Sequence, residues 1–267
     1  MQVSGQFESA FRRLAASRLG EAVSSTRELA ARLPPREAVE LVQQAALETL
    51  DLGAEQLEGQ RALSSLTDYQ PLQTQPAVQA GWSHLQRKLW RTIAEPVVTV
   101  DPAIDLGSVA GAQVLLNPAK FDHPDDLWIV MGHEVAHAEQ GHAVRREALR
   151  KLEAWVAQPS TEFRHELQEA IWGLELEADR RGLQLVADRL TEPPALLRHL
   201  LQTEGGPEHP DGLRRAEQAR VTLMQCGHLV SDSTWQQLLE DTREVRQRYA
   251  DRAEKERTVR EAMKKFC

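Results

Sequence analysis

The stretch Met131 to His142, MGHEVAHAEQGH, decides how this chain is read. His133 and His137 are four apart. On a helix, residues i and i+4 lie one turn apart on the same face, so the two imidazoles can grip one ion. Glu134 follows the first histidine and reaches the open side of such an ion, where a carboxylate can take a proton from water. The same five residues also occur as a polar patch on ordinary helices, so the surroundings must decide. Just upstream, FDHPDD offers Asp122 and His123 as N-caps, Pro124 at the first helical position and acids in the first turn. Leu127, Trp128, Val130, Met131, Val135 and Ala136 would bury most of the helix surface. Three polar side chains on a helix that is otherwise core are costly to bury without a task.

Two histidines do not complete a zinc site, which takes three protein ligands in hydrolases. No histidine follows at a suitable spacing, and LELEADRRG (Leu174 to Gly182) offers carboxylates on a later helix. Glu175 lies 38 residues after His137, room for a helix, a turn and a second helix. Glu175 and Asp179 share a face. Glu175 is placed to bind metal, and Asp179 to accept a hydrogen bond from the outer N–H of a ligand histidine. Glu177 points away from Asp179 on the helical wheel and is the weaker candidate.

Outward from this centre the chain reads as mostly α with a small β-sheet or hairpin, an α+β arrangement. PVVTVD (Pro96 to Asp101) and GAQVLLNP (Gly111 to Pro118) are the convincing strands. Residues 1–92 read as a helical N-terminal region, with PREAVELVQQAALETLDLG flanked by Pro and Gly in helical order. Phe7, Phe11, Leu14 and Ala15 form one apolar side of a first helix, Tyr69 to Ala80 a loop, and Trp82, Leu85, Leu89 and Trp90 fall at helical spacing. Residues 93–230 form the domain holding the motif, with helix from Ala143 to Leu190 broken near Gln158 to Ser160. TEPP and EGGPEHPDG read as loops, followed by helices near Leu213 to Cys226 and Thr234 to Lys265. Residues 231–267 are dominated by the second of these, a charged, solvated helix.

Composition narrows the function. The 267 residues carry 32 basic and 40 acidic side chains, a net charge of −8, which argues against nucleic acid as a partner. Two cysteines, Cys226 and Cys267, are too few for a disulfide framework or a cysteine-based zinc site. No stretch approaches the ~20 apolar residues that span a bilayer, and the N-terminus lacks the pattern of a signal peptide. The expected location is cytoplasmic, with no integral membrane segment.

HEVAH followed by ELEAD resembles the gluzincin metallopeptidases of the M forty-eight family, the HtpX, BepA and CAAX prenyl protease type. The resemblance extends over roughly residues 95 to 225, through GAQVLLNP, which is similar to the family's substrate-binding edge strand, and EHPDGLRRAEQAR (Glu208 to Arg220). It implies a zincin-like domain with helical extensions and one Zn2+ per chain on His133, His137 and Glu175. It further implies Glu134 as general base, Asp179 orienting a ligand histidine, and a protein or peptide as substrate. His209 is left open, as an oxyanion-stabilising group, a blocking ligand or a loop residue, and Arg214 and Arg215 read as surface groups. His142, five past His137, is turned off the ligand face and reads as structural. The chain departs from many relatives in lacking transmembrane helices and a repeat array. The expected activity is zinc-dependent endopeptidase. The rival is a latent or inactive zinc-binding, chaperone-like module blocked by His209 or the N-terminal helices. The sequence leaves the oligomeric state open.

Overall fold

A computed structural model describes residues 26–27, 29–48, 50, 75–99, 107–110, 113–121, 123 and 125–264. The expected first helix with Phe7 and Phe11, the loop through 69–74, Asp122 and Pro124 lie outside the described residues. Two compact units divide the chain, Met1–Leu190 and Thr191–Cys267. The sequence reading had placed boundaries near 92 and 230.

In the first unit, helix α1 (Pro35–Glu48) opens with Pro and a first-turn Glu37, and buries Ala38, Val39, Val42 and Ala46 along one stripe. Helix α2 (Pro76–Leu85) follows. Its first turn takes Pro76 to Ala80 out of the expected loop, because Pro76 stands at a helix start, where a missing N–H costs nothing. The helical spacing through Trp90 does not hold either. The helix ends at Leu85, a short 3-10 turn covers Gln86–Lys88, and Leu89 is extended. The cause is competition for backbone groups. The Trp90 N–H is held by the Glu139 carboxylate, and the Lys88 carbonyl accepts from Arg181 Nη2 at 2.9 Å.

A three-stranded sheet comes next, in the order β1 (Val97–Val98), β3 (Gln113–Leu116), β2 (Gly107–Ala110). β1 runs parallel to β3, pairing Val97 with Leu115. β2 runs antiparallel, pairing Gly107 with Leu116 and Ala110 with Gln113. GAQVLLNP was expected as the sheet's free edge. Its Gln113–Leu116 part is instead the central strand, flanked on both sides, and those four residues are buried. One of the two edge strands, GSVA, is built of small residues and carries little strand signal.

Three helices follow. α3 (Asp126–Glu139) holds the histidine pair, α4 (His142–Trp155) turns back from it, and α5 (Thr161–Val186) is the longest in the chain's described part. The N-cap of α3 is Asp125 and not the expected His123, although His123 braces the turn. Its ring Nδ1 accepts from the Asp125 N–H at 3.1 Å, and Asp126 reaches back to the His123 N–H at 2.8 Å. Ser160 caps α5 by accepting from the Phe163 N–H at 3.0 Å. α1, α4 and the first half of α5 share one apolar core, built around Val42, Ala46, Ala148, Leu149, Leu152, Phe163, Leu167 and Leu174. Each such leucine contributes roughly 1.5–3 kcal/mol on burial. The N-terminal helix therefore completes this core. α3 packs on the second half of α5 and on β2 and β3.

The second unit contains α6 (Pro193–Leu201), α7 (Gly212–Gln225), α8 (Asp232–Asp241) and α9 (Arg243–Lys264). The prolines of TEPP start α6 instead of forming a loop. The long C-terminal helix is broken at Thr242, which is buried and whose hydroxyl donates to the Leu238 carbonyl at 2.7 Å. No helix among the described residues is long and apolar enough to cross a membrane.

Candidate metal centre

The site begins with two glycines. A β-carbon on Gly132 would lie 2.9 Å from the Gly182 carbonyl oxygen. One on Gly182 would lie 2.8 Å from both the Gly132 carbonyl carbon and the His133 amide nitrogen. α3 and α5 thus cross backbone to backbone, as only a Gly–Gly contact permits. This brings the short Asp179 side chain, less than one turn before Gly182, against His133. His133 Nδ1 lies 2.9 Å from Asp179 Oδ1.

The inner atoms converge. His133 Nε2 and His137 Nε2 are 3.0 Å apart. Glu175 Oε2 is 3.6 Å from His133 Nε2, and Oε1 is 3.5 Å from His137 Nε2. His133, His137 and Glu175 are therefore arranged so that they could hold a metal ion. Glu175 is 1% exposed. Its Oε1, the oxygen nearer His137, also accepts from Arg146 Nη2, so a cation pairs with the carboxylate. Glu134 is half-buried and its charge acts on His133.

The electrostatics set the two rings apart. Burial pulls His133 down, but its contacts with Asp179 and Glu175 outweigh this and raise it from 6.5 to about 10. His137 is pushed down to about 3, first by burial; Glu175 opposes this, and the neighbouring His133 and His142 add to the lowering. Asp179 and Glu175 thus favour positive charge at His133.

The structure brings together four of the residues read from the sequence: His133, His137, Glu175 and Asp179. Glu134 adjoins them. His209 belongs to the second unit, exposed on the loop before α7, where its carbonyl accepts from the Gly206 N–H at 2.8 Å. His142 is not among the ligand atoms, yet it touches the site. It was set aside because residue i+5 leaves the ligand face of a continuous helix. The helix is not continuous: α3 ends at Glu139, and Gly141 takes a left-handed φ of 65° that folds His142 back beneath the site. His142 Nδ1 lies 2.9 Å from His137 Nδ1. Glu177, the weaker candidate ligand, bonds His142 Nε2 at 3.3 Å and Arg145 Nη1 at 2.5 Å. The glycine after AEQ was the legible signal of this turn.

Behind the site, Glu139 and Arg181 form a buried ion pair, with Arg181 Nε 2.7 Å from Glu139 Oε2. The Arg181 guanidinium stacks 3.7 Å from the Trp90 ring centroid. The sequence reading singled out neither charge. Comparison of the chain with protein-family models, curated proteins and solved structures returns no match.

Proposed function

We propose that this chain is a zinc-dependent endopeptidase of the gluzincin class. The triangle of ligand atoms carries the reading. The two Nε2 atoms lie 3.0 Å apart, and the nearest carboxylate oxygen of Glu175 is 3.5 Å from His137 (Oε1) and 3.6 Å from His133 (Oε2), close to the ~3.3 Å edge of a tetrahedron with zinc–nitrogen bonds of about 2.0–2.1 Å. Two imidazoles and one carboxylate are also the donor set of catalytic zinc, with a fourth position left open. A zinc ion held there would supply Lewis acidity, making water nucleophilic near neutral pH and polarising a peptide carbonyl.

The chain's own residues supply the rest. Glu134, next to the first ligand and partly open to solvent, is the general base. It takes the proton released as water adds to the carbonyl carbon, then returns it to the amide nitrogen as the C–N bond breaks. Asp179 orients His133, and Arg146 keeps Glu175 from swinging away. An extended peptide would pair with the edge of β2, the edge strand that packs on α3. This moves the docking edge from GAQVLLNP, whose two sides are occupied.

The test is cleavage of unfolded casein by zinc-loaded wild type and Glu134→Gln. Wild type should cleave, and the variant should lose roughly 10²–10⁴-fold in rate while keeping its zinc. No cleavage by the loaded wild type, or equal rates in both proteins, would contradict the assignment.

A further inference from the structure

We propose that Gln43, Arg145, Glu177 and His142 form a hydrogen-bonded chain that fixes the tautomer of His137 and turns its Nε2 lone pair toward the ion. The proposal rests on the metal reading above, and concerns how one ligand is held.

The direction of every bond follows from the groups present. A guanidinium only donates. Arg145 Nη1 and Nη2 donate to Glu177 at 2.5 and 3.3 Å, and Nε and Nη2 donate to Gln43 Oε1 at 3.1 and 2.9 Å. An ionised carboxylate only accepts. Glu177 therefore takes its hydrogen from His142 Nε2, 3.3 Å away. A neutral His142 with its proton on Nε2 has its lone pair on Nδ1, which faces His137 Nδ1 at 2.9 Å. His137 must then carry its proton on Nδ1, and its free lone pair is Nε2, the atom facing His133 and Glu175. No link can be reversed without setting two donors or two acceptors against each other. His142 is 1% exposed, so water does not offer it an alternative partner.

The two ligands are thus supported differently. Asp179 meets His133 directly. His137 meets an imidazole, His142, with its carboxylate Glu177 one step further along a chain that ends on α1. Gln43 belongs to the N-terminal helix, outside both metal motifs, and this gives that helix a role at the site beyond completing the core. These are positioning residues. They touch neither substrate nor ion.

Long-range proton–nitrogen NMR of the full-length, 15N-labelled, metal-free chain reads the tautomers directly. We expect His137 protonated at Nδ1 and His142 at Nε2. Zinc affinity, measured by competition with a chromophoric chelator, should fall ~10–100-fold in His142→Phe, which keeps a ring but has no acceptor. His142→Asn should recover most of this, because its amide oxygen falls near the position of Nδ1. Gln43→Ala should weaken zinc less than His142→Phe does. His137 protonated at Nε2 alone, or a folded His142→Phe that binds zinc as tightly as wild type, would overturn the proposal. Wild type that takes up no zinc would defeat the metal reading, and the metal-free tautomers would still judge the chain by themselves.

Discussion

The two halves of α5 do different work. From Phe163 to Leu174 the helix presents apolar side chains to α1 and α4, and side-chain volume sets the spacing. From Glu175 to Gly182 it presents Glu175, Asp179 and Arg181, all buried, and the spacing to α3 is set by backbone against backbone. The first half follows the ordinary rules of a core, where shape can be traded. The second half is tolerable only because each buried charge has a partner: Arg146 for Glu175, His133 for Asp179, Glu139 for Arg181. Charges of this kind stabilise little in net terms, but orphaning one is expensive.

That contrast can be broken from either side. Arg181→Met leaves Glu139 buried without its cation and should cost about 3–5 kcal/mol in denaturant unfolding. Leu149→Ala, in the apolar half's core, should cost a comparable ~2–5 kcal/mol through its cavity. The two differ in the second step. Arg181→Met with Glu139→Leu should recover much of the loss, since a matched apolar pair needs no partner. No second change restoring charge rescues Leu149→Ala. Failure of the double variant to recover would show that the pair does more than balance itself.

A smaller effect is expected at the crossing. Gly182→Ala adds one carbon against the Gly132 and His133 backbone, which cannot rotate away. It should cost about 1–3 kcal/mol of stability as overpacking, and should also weaken zinc binding, because His133 moves away from Glu175. Loss of stability with unchanged zinc affinity would mean that the helices shift without disturbing the ligands.

The ion-paired half can also be tested by the pH profile of the metal-free protein. His133 is raised from 6.5 to about 10, so its contribution is full below pH 6.5 and is lost as pH rises toward 10. His137 is lowered to about 3, so the folded site refuses a proton that the unfolded chain accepts below pH 6.5. Stability from this pair should fall as pH drops from 6.5 toward 3. Metal-free wild type should therefore lose stability in both directions from near pH 6.5. His133→Phe should flatten the alkaline side, checked by thermal unfolding across pH.

How much of this was legible follows from the distance over which each feature is encoded. The histidine pair, its base and the Glu175–Asp179 pair could be read because helical spacing within a few residues places them. The Ser160 cap is equally local, although only a helix break was expected there. The Gly132–Gly182 crossing was not legible, since the partners are far apart in sequence and a helical glycine alone reads as a weakness. β2 was missed because a strand of small residues is made by its pairing with β3 and not by its own composition. Nothing in the local sequence marks Arg145, Arg146 and Arg181. Their roles depend on carboxylates contributed by other helices. His142 was within reach, since Gly141 marks the end of α3.

The most direct measurement is metal content by mass spectrometry on wild type and Glu175→Ala, both purified without chelator and reconstituted with zinc. The account predicts about one zinc per chain in wild type and its loss, or a far weaker hold, in the variant. Wild type that takes up no zinc, or a variant that holds it as tightly, would return His133 and His137 to a polar patch on a buried helix and take the peptidase assignment with it.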